Sequence, residues 1–208
     1  MRYRHVVFDI DGTLTDTEYA ALVSLRDVIL AEQGRDCAME TLKFALGIPG
    51  VDAFRILGFK EVRWPMLMAD WERGLRAHND EIDVFPGGRE LVRTLAQAGV
   101  KLGIATSKTR DQYEKDFERF DIAAYFPVSV TADDTTEHKP GAGPLLHYMK
   151  LTGAKPEEML YIGDSIYDAG TAKAAGVDFA LALWGAPDPA VEGKYRPQKP
   201  ADLLEVIL

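Results

Sequence analysis

The chain has 208 residues, of which 47% are hydrophobic and 27% are charged, as in a soluble globular protein with a buried core. This balance excludes a disordered tail and a fibrous protein. Its 33 acidic against 24 basic side chains give a formal net charge of −9, so it lacks the diffuse positive field that draws proteins to nucleic acids and anionic membranes.

The amino terminus is basic, as a signal peptide can be, but Asp9 and Asp11 interrupt the apolar run that follows. No stretch reaches the roughly 18 apolar residues of a membrane span. The single cysteine, Cys37, cannot form an internal disulfide, and the histidines lack the spacing of a zinc site. We therefore expect a cytoplasmic protein without a membrane partner.

Five short apolar runs alternate with helical patterns along the chain. The runs are Val6–Phe8, Leu102–Ala105, Val128–Val130, Leu160–Ile162 and Phe179–Leu183. Buried runs separated by helices predict βαβ units, and thus an α/β fold with a Rossmann-like, mostly parallel sheet. Ligands bind beyond the carboxyl ends of strands in such sheets. Because three of those ends carry Asp9, Thr106 and Asp164, we expect the functional site there.

Strand patterns are missing between about residues 17 and 84, where apolar residues follow a helical period. One helix carries an aromatic and aliphatic stripe at Trp64, Leu67, Met68, Trp71 and Leu75. We interpret this stripe as core packing rather than cofactor binding. Gly47–Gly50 predicts a turn between helices. The sequence therefore predicts an inserted α-helical domain over residues 17–84 and an α/β core of residues 1–16 and 85–208.

After the insert, the α/β pattern resumes with a predicted helix over residues 89–98 and Gly99 as its C′ residue. The proline-rich stretch over residues 187–200 predicts a surface loop. A short terminal helix is expected over residues 201–207.

Asp9 and Asp11 lie two residues apart where the first strand ends. Period-two geometry can aim both the same way, and Gly12 permits a sharp turn after them. Two such carboxylates can divide labour, one as nucleophile or metal ligand and the other as proton donor and acceptor. The alternative is a plain turn in which Thr15 and Glu18 form a capping box for the next helix.

The pattern D-x-D-G-T-x-x-D over Asp9–Asp16 resembles the first signature of the haloacid dehalogenase superfamily of phosphohydrolases. The later signatures are resembled, in the family's order, by Thr106, by Lys139 and by Gly163–Asp168. The resemblance covers the whole chain, because one subclass carries a helical cap at the position of the insert. It implies that the insert is a lid that reads the leaving group, with hinges near Asp16–Thr17 and Asp83–Pro86.

Each later signature also has a structural interpretation. Thr106 alone is explained as a polar residue at a strand end, and Lys139 as a solvated lysine. Ser165 and Asp168 satisfy a capping box. The shared order and the placement at predicted strand ends favour function over these separate explanations.

The resemblance implies four catalytic residues. Asp9 would attack phosphorus to form an aspartyl-phosphate, and Asp11 would protonate the leaving oxygen and then activate water. Thr106 would hold phosphoryl oxygens, and Lys139 would neutralise charge on the nucleophile and the phosphate. The implied phosphate-binding set is Gly12, Thr106, Ser107 and Lys139.

The resemblance also implies a Mg²⁺ site formed by Asp9, Asp164 and the backbone carbonyl of Asp11, with Asp168 in the outer shell. The carboxylates of Asp9, Asp11, Asp164 and Asp168 would bring a charge of about −4 into one crevice, which cannot persist uncompensated. Lys139 offsets one charge, and a divalent cation would offset two more. An all-oxygen site that accepts phosphate suits Mg²⁺ better than zinc.

Asp11 favours phosphate esters within the superfamily, because dehalogenase members need no acid at that position. Pro86–Gly87, Lys139–Pro140 and Trp184–Gly185 resemble the phosphoglycolate phosphatase-like branch. The resemblance thus implies Mg²⁺-dependent hydrolysis of a small phosphate monoester, phosphoglycolate-like or a sugar phosphate. We expect this substrate as the partner, with no nucleic acid or membrane, and a monomer or homodimer.

Three alternatives share these residues. A sugar-phosphate mutase with the same cap would use the same catalytic set. A phosphoacceptor signalling module also combines aspartates, Thr or Ser and Lys around Mg²⁺ on a parallel sheet, but the helical insert and the position of Asp164 and Asp168 after Lys139 argue against it. A binding protein that retains the motifs without catalysis is the third.

Overall fold

The structure, a computed structural model, describes residues 2–46 and 48–208. The strands are His5–Phe8 (β1), Thr15–Asp16 (β2), Asp83–Val84 (β3), Lys101–Ala105 (β4), Val128–Val130 (β5), Met159–Gly163 (β6) and Asp178–Leu181 (β7). The α-helices are Glu18–Gln33 (α1), Gly50–Ile56 (α2), Trp64–Ala77 (α3), Gly88–Gln97 (α4), Arg110–Gln112 (α5), Gly143–Thr152 (α6), Ile166–Ala175 (α7) and Leu203–Ile207 (α8). Gly47, the first residue of the predicted turn Gly47–Gly50, lies outside the described residues.

The sheet has five parallel strands in the order β5-β4-β1-β6-β7, which confirms the predicted α/β fold class. Phe8 at the end of β1 lies opposite Ile104 of β4 and Ile162 of β6. All four residues of β1 are buried, because a central parallel strand is covered on both faces. The carboxyl ends of β1, β4 and β6 therefore meet at one edge of the sheet.

One layer of the core lies between the sheet and helices α6 and α7. Leu145 and Tyr148 of α6 and Ala172 of α7 pack with Val7 and Tyr161 of the strands. Burying an aliphatic or aromatic side chain of this size contributes about 1.5–3 kcal/mol. This packing holds α7 rigidly behind β6, which matters because α7 carries one of the predicted site residues.

The chain divides into two compact units, Met1–Thr15 with Val84–Leu208, and Asp16–Asp83. The helical unit has its own core, in which Leu25 and Phe54 are buried. Trp64, Met68 and Trp71 of the stripe pack against this core, and Leu67 is buried in it. The Trp71 indole donates to the Ala21 carbonyl at 3.0 Å. The stripe is therefore core, as predicted for these positions.

Two predictions about helix ends have opposite outcomes. The Thr15–Glu18 capping box is wrong, because the N-cap of α1 is Thr17 and its side chain makes no capping bond. Thr15 lies in β2 instead, where its hydroxyl donates to the Ile10 carbonyl at 3.2 Å. The capping box of Ser165 and Asp168 at the start of α7 is confirmed.

Predictions for the second half of the chain hold with small shifts. Helix α4 ends one residue before the predicted position, and Gly99 is its C′ residue with φ of 80°. The predicted terminal helix is a 3₁₀ turn, Pro200–Asp202, followed by α8. The proline-rich stretch is more than a surface loop, because Tyr195 forms a parallel bridge to Ala180 of β7. None of the helices in the described part of the chain is long and apolar enough to cross a membrane.

The turn that follows β5 is held by the carboxylate of Asp134. Its Oδ2 accepts from the Thr131 backbone N–H at 2.7 Å, the Thr131 hydroxyl at 2.8 Å and the Arg110 guanidinium at 2.8 Å. Burial opposes ionisation, but these donors together lower the pKa of Asp134 below its ordinary 3.8. The ionised form therefore stabilises the fold above the unfolded-state pKa, and this stabilisation is lost as the pH falls through the lower folded-state pKa.

We expect Asp134→Asn to lower the free energy of unfolding by about 1 kcal/mol at neutral pH, allowing for solvent exposure. The difference from wild type should shrink as the pH falls below 3.8, where the unfolded-state carboxyl protonates. Urea unfolding of both proteins across this pH range measures the difference in free energy of unfolding. Glu157→Gln, which changes an exposed carboxylate, is the matched control. A difference that grows on acidification would contradict the assignment.

Candidate active site

The segment after β1 is a tight turn closed on one carbonyl. The Ile10 carbonyl accepts from the backbone N–H groups of Thr13, Leu14 and Thr15 at 3.2, 2.8 and 2.9 Å. Gly12 has φ of 72°, a conformation that side-chain-bearing residues rarely adopt. A Cβ on Gly12 would also collide with the carboxylate of Asp164. Only glycine fits this turn, so Asp9 and Asp11 emerge from β1 in a fixed backbone.

The ammonium of Lys139 joins two predicted site residues. Its Nζ lies 2.9 Å from Asp9 Oδ1 and 2.7 Å from Asp168 Oδ1. The Lys139 side chain is only 5% exposed. A lysine buried to this degree needs a carboxylate partner, so the alternative of a solvated lysine is wrong.

Asp168 is held from both oxygens. Its Oδ1 accepts from Lys139 at 2.7 Å and lies 2.8 Å from the Tyr161 hydroxyl. Its Oδ2 accepts from the Ser165 hydroxyl at 2.6 Å and the Ser165 backbone N–H at 3.1 Å. With these bonds made, Asp168 suits an orienting role behind a metal better than direct ligation.

Three carboxylates converge here: oxygens of Asp9, Asp164 and Asp168 lie within 4.8 Å of one another. Asp164 Oδ1 accepts from the Thr13 hydroxyl at 3.1 Å, which aims its carboxylate toward the turn after β1. Since Asp168 is saturated by protein donors, Asp9 and Asp164 are the members with oxygens to spare. An all-oxygen, carboxylate-rich donor set suits Mg²⁺ better than zinc.

The electrostatics of this cluster show that its negative charge is undercompensated. Burial and the neighbouring Asp168 and Asp11 raise the pKa of Asp9 to about 7, against the opposing effect of Lys139. Burial, Asp168 and Asp9 raise the pKa of Asp164 well above its usual range. Burial alone would lower the pKa of Lys139, but Asp168 and Asp9 hold it above its usual value. The cluster is therefore a favourable place for a further positive charge.

The end of β4 places the remaining predicted residues. Thr106 is buried, and its backbone N–H donates to the Val130 carbonyl at 3.0 Å. Ser107 is exposed beside it. The Asp11 side chain, 40% exposed, forms an ion pair with Lys108, whose Nζ lies 3.2 Å from Asp11 Oδ2. The structure thus brings Asp9, Asp164, Asp168 and Lys139 together in one cluster, and it pairs Asp11 with Lys108.

Sequence reasoning missed three residues of the site: Thr13, Lys108 and Tyr161. Thr13 belongs to the first signature, but the sequence analysis predicts no role for it, although its hydroxyl donates to Asp164. Lys108 stands two residues after Thr106, a spacing that could have indicated it. Tyr161 is the one residue with a side-chain hydroxyl in the otherwise apolar strand β6, and this hydroxyl could have indicated a polar partner in the site. The Trp184 indole, noted only as part of a branch resemblance, donates to the Thr13 carbonyl at 2.9 Å and so supports the turn after β1.

A model of the family described as haloacid dehalogenase-like hydrolase matches residues 6–182. The chain belongs to this family. The resemblance to the haloacid dehalogenase superfamily is confirmed, and the protein is a hydrolase of this family.

Individual relatives refine the comparison. Pyrophosphatase PpaX of Halalkalibacterium halodurans is 33% identical over 87% of this chain and 84% of that protein. Pyrophosphatase PpaX of Oceanobacillus iheyensis is 31% identical over 90% of this chain and 87% of that protein. The crystal structure of an inferred phosphoglycolate phosphatase from Lactobacillus plantarum has 34% identity and a TM-score of 0.91, covering 99% of this chain and 100% of that one.

Proposed function

We propose that this haloacid dehalogenase-like hydrolase is a Mg²⁺-dependent phosphatase that cleaves a small phosphate monoester through an aspartyl-phosphate on Asp9. The observation that carries the proposal is the buried cluster in which the Lys139 ammonium lies between Asp9 and Asp168, with Asp164 alongside. A carboxylate that serves only stability rarely shares a buried site with two others, because their mutual repulsion must then be offset.

In the first step, an oxygen of Asp9 forms a bond to phosphorus while the bond from phosphorus to the ester oxygen breaks. The departing oxygen takes a proton from Asp11. In the second step Asp11 takes a proton from water, whose oxygen attacks the phosphorus and releases inorganic phosphate and the Asp9 carboxylate. Lys139 stays bound to Asp9 in both steps and offsets the charge that develops there.

The phosphoryl oxygens need donors on the other side. Thr106 has its hydroxyl at the end of β4, where its oxygen accepts from the Lys108 backbone N–H at 3.2 Å and its proton is available to a ligand. The backbone N–H of Ser107 and the turn at Gly12 complete the proposed phosphate cradle. These donors would bind the phosphoryl group most strongly as its charge redistributes in the transition state.

Asp9, Asp164 and the Asp11 carbonyl would hold Mg²⁺, with Asp168 orienting the set through Lys139 and Ser165. When bound, the cation neutralises the phosphate and the nucleophile so that the two anions can approach. The raised pKa values of Asp9 and Asp164 describe the charge that the cation would relieve.

The helical unit Asp16–Asp83 is proposed as the cap that recognises the leaving group.

We propose two substrate classes for testing. A phosphoglycolate-like or sugar phosphate monoester agrees with the general acid Asp11, and pyrophosphate is added because two relatives are named pyrophosphatase PpaX. In both cases the same residues of the core would act on the phosphoryl group.

Phosphate release from phosphoglycolate, hexose phosphates, pyrophosphate and p-nitrophenyl phosphate, with Mg²⁺ and with EDTA, tests the proposal. We expect release with Mg²⁺ and loss of at least about 100-fold with EDTA, because the anionic cluster would then repel the substrate.

Mg²⁺ at about 100 times its Kd should also raise the free energy of unfolding by about 2.7 kcal/mol, since it binds only the folded site. Asp164→Asn should abolish this Mg²⁺-dependent stabilisation.

Isomerisation of a hexose 1-phosphate without release of phosphate would replace the phosphatase by the mutase. A stable aspartyl-phosphate without turnover would favour the signalling module. Release that is equal in Mg²⁺ and EDTA would contradict the metal site.

A further inference from the structure

A second lysine lies at the site, and its partners differ from those of Lys139. Lys108 Nζ lies 3.2 Å from Asp11 Oδ2 and 3.3 Å from Asp116 Oδ2, and the Lys108 side chain is only 17% exposed. Lys139 pairs with Asp9 and Asp168. Lys139 thus lies beside the proposed nucleophile, and Lys108 lies beside the residue proposed as general acid and base.

The backbone of Lys108 is fixed on both sides. Its N–H donates to Thr106 Oγ1 at 3.2 Å, and its carbonyl accepts from the Ala132 N–H at 2.9 Å. The partner Asp116 comes from a π-helical turn, Tyr113–Phe117, that follows α5. Such turns are uncommon and occur often at functional sites. Lys108 is therefore held at its backbone and at its ammonium, which leaves it little freedom.

Asp116 is a costly residue for structure alone. Its Oδ1 is buried and has no hydrogen-bond partner among the residues that the structure describes. A buried carboxylate oxygen without a donor reduces stability, so its presence needs another explanation. Holding the ammonium of Lys108 against Asp11 is an explanation that the geometry offers.

We infer that Lys108, held by Asp116, is a positioning residue that fixes the Asp11 carboxylate for proton transfer to the leaving oxygen. The inference rests on the proposed function, in which Asp11 is the acid. The Asp11 side chain is 40% exposed, and its ion pair with Lys108 restricts its rotamers. Direct phosphate binding by Lys108 is the less favoured role, because the two carboxylates beside it already exceed its charge.

The test compares kcat/KM for substrates that differ in leaving group, using Lys108→Met. Acetyl phosphate releases acetate, a stable anion that needs no proton. An alkyl phosphate such as glycerol phosphate releases an alkoxide, which must be protonated as it departs. Since general acid catalysis contributes about 10²–10⁴-fold, we expect Lys108→Met to lower kcat/KM for the alkyl ester at least about tenfold more than for acetyl phosphate. Lys108→Arg should bring the ratio of the two kcat/KM values most of the way back to that of wild type, because arginine keeps the positive charge.

Matched variants keep the inference falsifiable. Lys115→Met removes an exposed lysine that pairs with Asp111 and should behave as wild type on both substrates. Asp116→Asn should shift the ratio in the same direction by a smaller factor, and it gives an independent answer if Lys108→Met does not fold. An equal loss on both substrates, or no loss, would overturn the inference. If wild type hydrolyses neither substrate in an Asp9-dependent manner, the proposed function itself fails.

Discussion

Asp9→Asn is expected to lower phosphate release by at least about 10³-fold while the protein stays folded. The substitution keeps the size of the side chain and removes the oxygen anion that would attack phosphorus, and loss of a catalytic nucleophile has effects of this order or larger. The fold should tolerate it, because Lys139 keeps its second partner, Asp168, at 2.7 Å. The thermal unfolding midpoint should stay within about 4 °C of wild type.

Two measurements check this expectation. Steady-state phosphate release gives the loss of activity, with Asp36→Asn, an exposed carboxylate of the helical unit, as the matched control. Acid quenching during turnover of a ³²P-labelled substrate should trap label on wild-type protein and none on Asp9→Asn. Release from Asp9→Asn at a tenth of the wild-type rate or more would show that another group attacks phosphorus.

The sheet and much of the site were predictable because they depend on local signals. Three of the apolar runs end at a polar residue, and parallel strands bring their carboxyl ends to one edge of the sheet, so the sequence predicts Asp9, Thr106 and Asp164 at the same edge. The capping box of Ser165 and Asp168 depends on four consecutive residues and was equally readable.

The relations that were missed depend on side-chain contacts that no sequence period indicates. Asp11 meets Lys108, and Lys108 meets Asp116 on a π-helical turn, a conformation for which this sequence carried no recognised pattern. Tyr161 reaches Asp168 across the start of α7. The two-residue strands β2 and β3 were missed because such short segments show no period, and this also explains the wrong capping box at Thr15.

Lys139→Met is expected to lower the free energy of unfolding by about 3–5 kcal/mol in the absence of Mg²⁺, the usual cost of removing one member of a buried ion pair. Met fills a similar volume, so the loss reports charge more than packing. Asp9 and Asp168 would face each other without the ammonium that now lies 2.9 and 2.7 Å from them. Phosphate release should fall at least about 100-fold, because the charge on the nucleophile and phosphate is no longer offset.

Urea unfolding of Lys139→Met, Asp168→Asn and the double variant forms a cycle that isolates this interaction. The double variant should be more stable than the sum of the two single losses predicts, because removing Asp168's charge relieves the repulsion that Lys139→Met creates. Lys173→Met, an exposed lysine of α7, is the matched control and should unfold as wild type does. Strictly additive losses would mean that the ion pair between Lys139 and Asp168 does not stabilise the fold, and the stability loss expected for Lys139→Met would then lose this part of its physical basis.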